Sequence, residues 1–308
     1  MSLKSLLLPL AGSLSMILGV TACAAEPLEI PENLAETDIE EGHQGPALWA
    51  LSDDDTTVYL FGTVHVLPED VKWFGGAIAE AFQSSDELVT EIDMNDAAAM
   101  QQLVMSKAIL PADAPTLREQ MSDENREQYE AAMVTLGLPV EALDRFEPWY
   151  AAMTLQLLPM VQAGYGANSG VDAVLTAKAA DKQRAALETP DEQISLFDEM
   201  SPDTQLAFLD QTVESLPGMM DTIDAMVGEW LAGDADDLAR IMNGELDDPA
   251  LYKRLLTDRN AHWADWIEER MQQPGTVFIA VGAGHLAGEN SVQAQLAQRG
   301  LPTRRITH

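Results

Sequence analysis

The sequence predicts an α/β or α+β domain: a small mixed β-sheet built from both ends of the chain, with a large helical insertion between its halves. Three observations lead there. Short apolar runs at 58–61 and 277–281 read as buried strands, and each meets a glycine that presents a histidine three residues later, in Gly62-Thr63-Val64-His65 and Gly282-Ala283-Gly284-His285. Between these peptides, from about 95 to 271, helix-start signals recur. The remaining chain returns to alternating strand and helix. The matched peptides imply one site assembled from both termini, because Gly62, Gly282 and Gly284 allow the sharp turn or close approach needed where a strand meets a functional loop.

Residues 1–22 read as an export signal. Lys4 supplies the positive start, and 6–20 form an apolar stretch broken by Pro9 and Gly12, too short and interrupted to span a bilayer. Val20-Thr21-Ala22-Cys23 resembles the bacterial lipobox, in which the cysteine becomes the lipid-modified first residue of the mature protein. The alternative is ordinary cleavage after Ala24 or Ala25, with Cys23 discarded. Cys23 is the sole cysteine, so no disulfide is expected. The expected location is the periplasmic face of a bacterial membrane, the outer membrane first, or the soluble periplasm if no lipid is attached. Residues 23–45 are acidic and proline-bearing and read as a tether. The domain proper is 46–308.

The chain carries 51 acidic and 17 basic residues, a formal charge of −34. Such a surface repels phosphate backbones and anionic lipid, which excludes nucleic acid as a partner and leaves the N-terminal lipid as the only membrane contact. The acidity is read first as solubility, with attraction of cations or cationic substrates as the other reading.

Within the domain, a strand at 47–51, an acidic turn at 52–55 and a returning strand from 56 form a hairpin. The turn lacks the spaced ligands and glycine of a calcium loop. A helix at 76–83 leads into a strand at 87–93. In the middle, Ser122 caps one helix, Thr189-Pro190-Asp191-Glu192 is a capping box, and Ser201-Pro202 opens another helix. Residues 181–187 read as a short connection or strand. Met219, Met220, Met226 and Met242 suit adaptable core packing better than a thioether metal site. A strand at 276–281, a helix at 290–299 stopped by Gly300, and a last strand at 303–306 complete the chain.

His65, Glu91 and His285 fall at strand ends. Two imidazoles and a carboxylate are a common ligand set for a divalent metal with open positions, and such a metal activates water and polarises a carbonyl for amide or ester hydrolysis. The same three groups also support metal-free acid–base chemistry. Asp93, two residues beyond Glu91 on the expected strand, is a candidate supporting residue. Arg259 either neutralises an oxyanion or forms a salt bridge on the acidic surface, and Asn260 adjoins it.

These residues resemble a family. Leu48-Trp49, Tyr59 to His65, Thr90-Glu91-Ile92-Asp93 and Val281 to Glu289 look like the TraB/GumN family, grouped with Tiki-type proteases and with erythromycin-esterase-like and ChaN-like proteins. Glu147-Pro148-Trp149, Gly170-Val171-Asp172, Leu187-Glu188-Thr189 with Gln193, and Arg259-Asn260 ahead of Trp263 also fit, so the likeness spans about 46–307. The resemblance implies a shared α/β core and a metal-dependent peptidase of the cell envelope. His65, Glu91 and His285 would hold manganese, cobalt, iron or zinc, with Glu91, Arg259 and Asn260 assisting catalysis on a peptide or protein substrate. The alternative it implies is an envelope protein that binds haem, metal or peptide without turnover. An envelope scaffold is the third reading.

Overall fold

The structure, a computed structural model, describes residues 45–93, 96–243 and 249–307. The expected signal, Cys23 and the tether up to residue 44 lie outside the described residues. Strand β1 (Leu48–Ser52) and β2 (Thr56–Thr63) form the expected hairpin. Its turn is organised by Asp53, whose carboxylate accepts the backbone N–H groups of Asp55 and Thr56 at 3.1 and 2.9 Å.

Short β3 (Leu67–Pro68) follows, then β4 (Glu87–Thr90), β5 (Tyr165–Gly166), β6 (Gln183–Ala186), β7 (Gly275–Gly282) and β8 (Arg304–Ile306). Six of these form one sheet in the order β6-β4-β7-β2-β1-β8, while β3 and β5 pair separately. The strands β6, β4, β7 and β2 run parallel; β1 is antiparallel to both β2 and β8. This is a mixed α/β architecture. The two strands that carry the matched peptides are neighbours, with Gly62 opposite Val281 and Thr63 opposite Gly282.

Continuous apolar runs suit strands buried on both faces. Val58, Leu60, Val89, Val277, Ile279 and Val281 meet Trp263 and Ile267 of the helix Asp258–Arg270, with Leu296 of the helix Val292–Gln298. On the other face, Phe61 and Phe278 join Trp73, Phe82 and Trp230, with ring centroids 5.4–6.3 Å apart. The helical middle covers that side, and Met219, Met226 and Met242 are buried in it.

The expected caps form. The hydroxyls of Ser122, Thr189 and Ser201 accept N–H groups of the first turns, and Glu192 returns to Thr189 as a capping box. Gly300 has φ +79° and ends the last helix, which Ser291 caps and which begins two residues later than expected, at Val292. One expectation is corrected: the strand expected over 87–93 stops at Thr90. Residues 181–187 do supply a sheet strand, so the middle is not a pure helical insertion. It delivers the edge strand β6, and with it Glu188, to the sheet. Among the described residues no helix is long and apolar enough to cross a membrane.

Candidate active site

The carboxyl ends of parallel strands are where open α/β sheets bind ligands, because the chain there leaves the sheet and its loops diverge around a crevice. His65 follows β2, Glu91 follows β4, Glu188 follows β6, and His285 follows β7. All four are buried or nearly so. Pairing continues beyond the strands, for the Glu188 N–H donates to the Glu91 carbonyl at 2.8 Å and so holds the two residues side by side.

The motif glycines serve close approach. A Cβ on Gly62 would lie 3.0 Å from the Ala283 Cα, and one on Gly282 would lie 3.1 Å from the Glu91 Oε1. The Gly282 N–H donates to that same oxygen at 2.6 Å. Gly284 faces only the end of the Met242 side chain, which can move, so its demand is the weakest of the three.

Arg259 is the hub. A guanidinium has five N–H donors, and here all five are committed. Nε and Nη2 donate to the two oxygens of Glu188 at 2.7 and 2.9 Å; Nη2 also donates to Glu91 Oε2 at 2.7 Å. Nη1 donates to His285 Nε2 at 2.9 Å and to the Leu255 carbonyl at 3.2 Å. A salt bridge thus forms, and it forms inside the protein instead of on its surface. Glu91 Oε2 also accepts from Gln193 at 2.9 Å, and Trp263 Nε1 donates to Glu188 at 3.0 Å.

The tautomer of His285 follows from its neighbours. Asn260 Nδ2 donates to the Asn290 carbonyl at 2.7 Å, which turns its Oδ1 towards His285 Nδ1, 2.6 Å away. Nδ1 therefore carries the proton and Nε2 accepts from Arg259. Burial, then the charge of Arg259, pushes His285 down to about 3, so the ring is neutral at physiological pH.

His65 shows the same pattern without the arginine. Its Nδ1 is hydrogen-bonded to Asp172, in the first turn of the helix Val171–Lys178. Its Nε2 is buried and has no hydrogen-bond partner among the described residues; Thr63 Oγ1, two residues earlier, is likewise unpartnered among them. Burial pushes the imidazole down, but Asp172's charge and hydrogen bond outweigh it and the net shift is upward. Burial raises the Glu91 carboxyl, yet Arg259, with help from the imidazoles and the Gly282 N–H, brings it below the usual carboxylate range. Glu188 goes up because burial exceeds what Arg259 returns.

His65, Glu91, His285, Arg259 and Asn260 are thus brought to one end of the sheet. They do not converge on one point, since the guanidinium stands on the acceptor atoms of both Glu91 and His285. Among the described residues, the His, Cys, Asp or Glu ligand atoms that gather within 4.8 Å of one another belong instead to Glu229, Asp234 and Asp237, an acidic group with one exposed and two half-buried members. Asp93 is corrected: it is exposed and lies 3.9 Å from Arg184, away from the buried cluster, because the two-residue period that would place it ends with the strand at Thr90. Asp172, Glu188 and Gln193 are site residues to which the sequence assigns no role. Their only signal is that each sits in a peptide matching the family pattern.

A family model described as the TraB/PrgY/gumN family matches residues 47–305. The chain is 26% identical to an uncharacterized protein of Treponema pallidum (strain Nichols), over 81% of this chain and 80% of that one. It is 27% identical to the uncharacterized protein YbaP of Escherichia coli (strain K12), and equally to that of Shigella flexneri, over 77% of this chain and 87% of each. No solved structure matches it.

Proposed function

The chain belongs to the TraB/PrgY/gumN family, and on that premise we propose that it is a metal-dependent hydrolase of the cell envelope that cleaves peptide bonds. The observation that carries the reading is the buried, unpartnered Nε2 of His65. A buried polar atom left unsatisfied costs about 1–3 kcal/mol, and a cation at that lone pair removes the cost. Both site histidines direct Nδ1 at a fixed acceptor, Asp172 or Asn260, which is how imidazoles that bind metal are held in orientation. Charge agrees. The buried Glu91 and the nearly buried Glu188 face one guanidinium, and the buried Asp172 faces the His65 ring, so with both imidazoles neutral three carboxylates are set against one permanent positive charge.

His65, Glu91 and His285 would hold the ion. When bound, a divalent manganese, cobalt, iron or zinc ion supplies Lewis acidity that polarises a carbonyl and acidifies water. Glu91 accepts three hydrogen bonds and has a lowered pKa, which suits it to holding a cation and not to accepting a proton. Asn260 aims His285. Arg259, with no N–H left over, is a positioning group here.

The test is metal content. The full chain, purified without chelator or histidine tag, is expected to carry near-stoichiometric metal by plasma mass spectrometry, and a folded His65→Ala/His285→Ala variant none. Retained metal and peptidase activity in that variant would overturn the reading. Envelope attachment is a separate proposal. Cys23→Ser is expected to move the protein from the membrane to the soluble fraction, because anchoring requires the several acyl chains of a lipoprotein; an unchanged membrane fraction counts against it.

A further inference from the structure

Arg259 sits in the first turn of the helix Asp258–Arg270, directly after the π-helical turn Lys253–Thr257. The two sides of its guanidinium have different partners. The outer side grips Glu188 through two roughly parallel bonds at 2.7 and 2.9 Å, the strongest geometry for such a pair. The group also lies over the Trp263 ring, 4.7 Å from its centroid. The inner side takes His285 Nε2 and Glu91 Oε2, which belong to two of the three ligands assigned above to the ion.

A lone pair engaged by an N–H is not free for a metal, and a guanidinium beside a divalent cation repels it in a site that excludes water. Yet Glu91 is only 4% exposed, and such a carboxylate requires a counter-charge whether or not an ion is present. We infer that Arg259 is the site's resident cation and competes with the metal: loading requires its inner side to release Glu91 and His285 while its outer side stays on Glu188. The inference rests on the metal-site reading above. A merely supporting arginine would lose metal affinity on removal, whereas a competitor gains it.

The experiment compares Mn2+ and Zn2+ dissociation constants of the full chain and Arg259→Gln by equilibrium dialysis, with melting temperature as a second readout. Arg259→Gln is expected to bind at least about tenfold more tightly, within the usual range for coupled sites. It should also melt lower than wild type without metal and recover more on adding it, because the ion then takes the place of the guanidinium as counter-charge for Glu91. Should Arg259→Gln not fold, Arg259→Met/Glu188→Gln is compared with Glu188→Gln alone, which spares the protein a second unpaired carboxylate, and the same tightening is expected. Equal or weaker binding after loss of Arg259, with wild type binding metal, overturns the competitor role and leaves the metal site standing. No binding by any form overturns both.

Discussion

Gly170→Ala is expected to dislodge His65 and to lower the melting temperature by several degrees. A Cβ at position 170 would lie 1.9 Å from the His65 carbonyl oxygen and 2.5 Å from its carbon. Those are backbone atoms, so no side chain can swing away to relieve the contact. The backbone angles of Gly170, φ −60° and ψ 150°, are open to any residue, and the cost is therefore entirely steric. The segment cannot slide easily either, because the Val171 N–H donates to the Val64 carbonyl at 2.9 Å and the Ser169 hydroxyl to that of Leu67 at 2.6 Å. Overpacking of this kind costs about 1–3 kcal/mol or more, and each kcal/mol moves the melting point of a domain this size by about 2–4 °C. Calorimetry checks it, with Gly228→Ala as the control: in the helix Met219–Ala232 an added methyl meets nothing within 4 Å and is expected to be neutral or stabilising. A Gly170→Ala protein that melts with wild type and keeps its site would show that the packing account is wrong.

Asp172→Asn is expected to keep the fold and lose the site. Asp172 is buried and bonds His65 Nδ1, and with Glu91 it favours a positive charge on that ring. An asparagine has nearly the same shape and keeps an acceptor oxygen, but it also offers an NH2 group that can face Nδ1 and reverse the tautomer, directing the protonated Nε2 at the open position. Losing such an orienting partner costs about 10–100-fold in metal affinity or activity. Metal titration and the ring nitrogen shifts of His65 by NMR check the two halves of the argument. Asp172→Asn with unchanged affinity and an unchanged His65 tautomer would remove Asp172 from the site.

Both variants turn on contacts that no stretch of sequence announces. Helix caps are local chemistry: a hydroxyl at Thr189 and a carboxylate at Glu192 can only reach their own first turn, so the capping box is legible in the residues alone. The matched glycine–histidine peptides are legible for the same reason, since a buried strand followed by Gly-x-x-His has few other readings. Alternation misplaces Asp93 because it holds only while a strand lasts, and the end of β4 is decided by its neighbours β6 and β7. A surface salt bridge for Arg259 is what so acidic a composition suggests. Only the folded chain reveals that two carboxylates draw it inside.

Legible in the residues alone are the mixed sheet from both termini, a mainly helical middle, the helix starts at Gly76, Ser122, Thr189 and Ser201, and the three strand-end residues His65, Glu91 and His285. Each of these depends on apolar periodicity or on hydrogen bonds within a few residues. Only folding settles that Arg259 bridges Glu91, Glu188 and His285, that Asp172 and Asn260 fix the two imidazoles, and that His65 Nε2 has no partner among the described residues. The site's cross-chain hydrogen bonds include partners 71 and 191 residues apart. Their strength comes from burial and mutual charge, which exist only once the strands are in register.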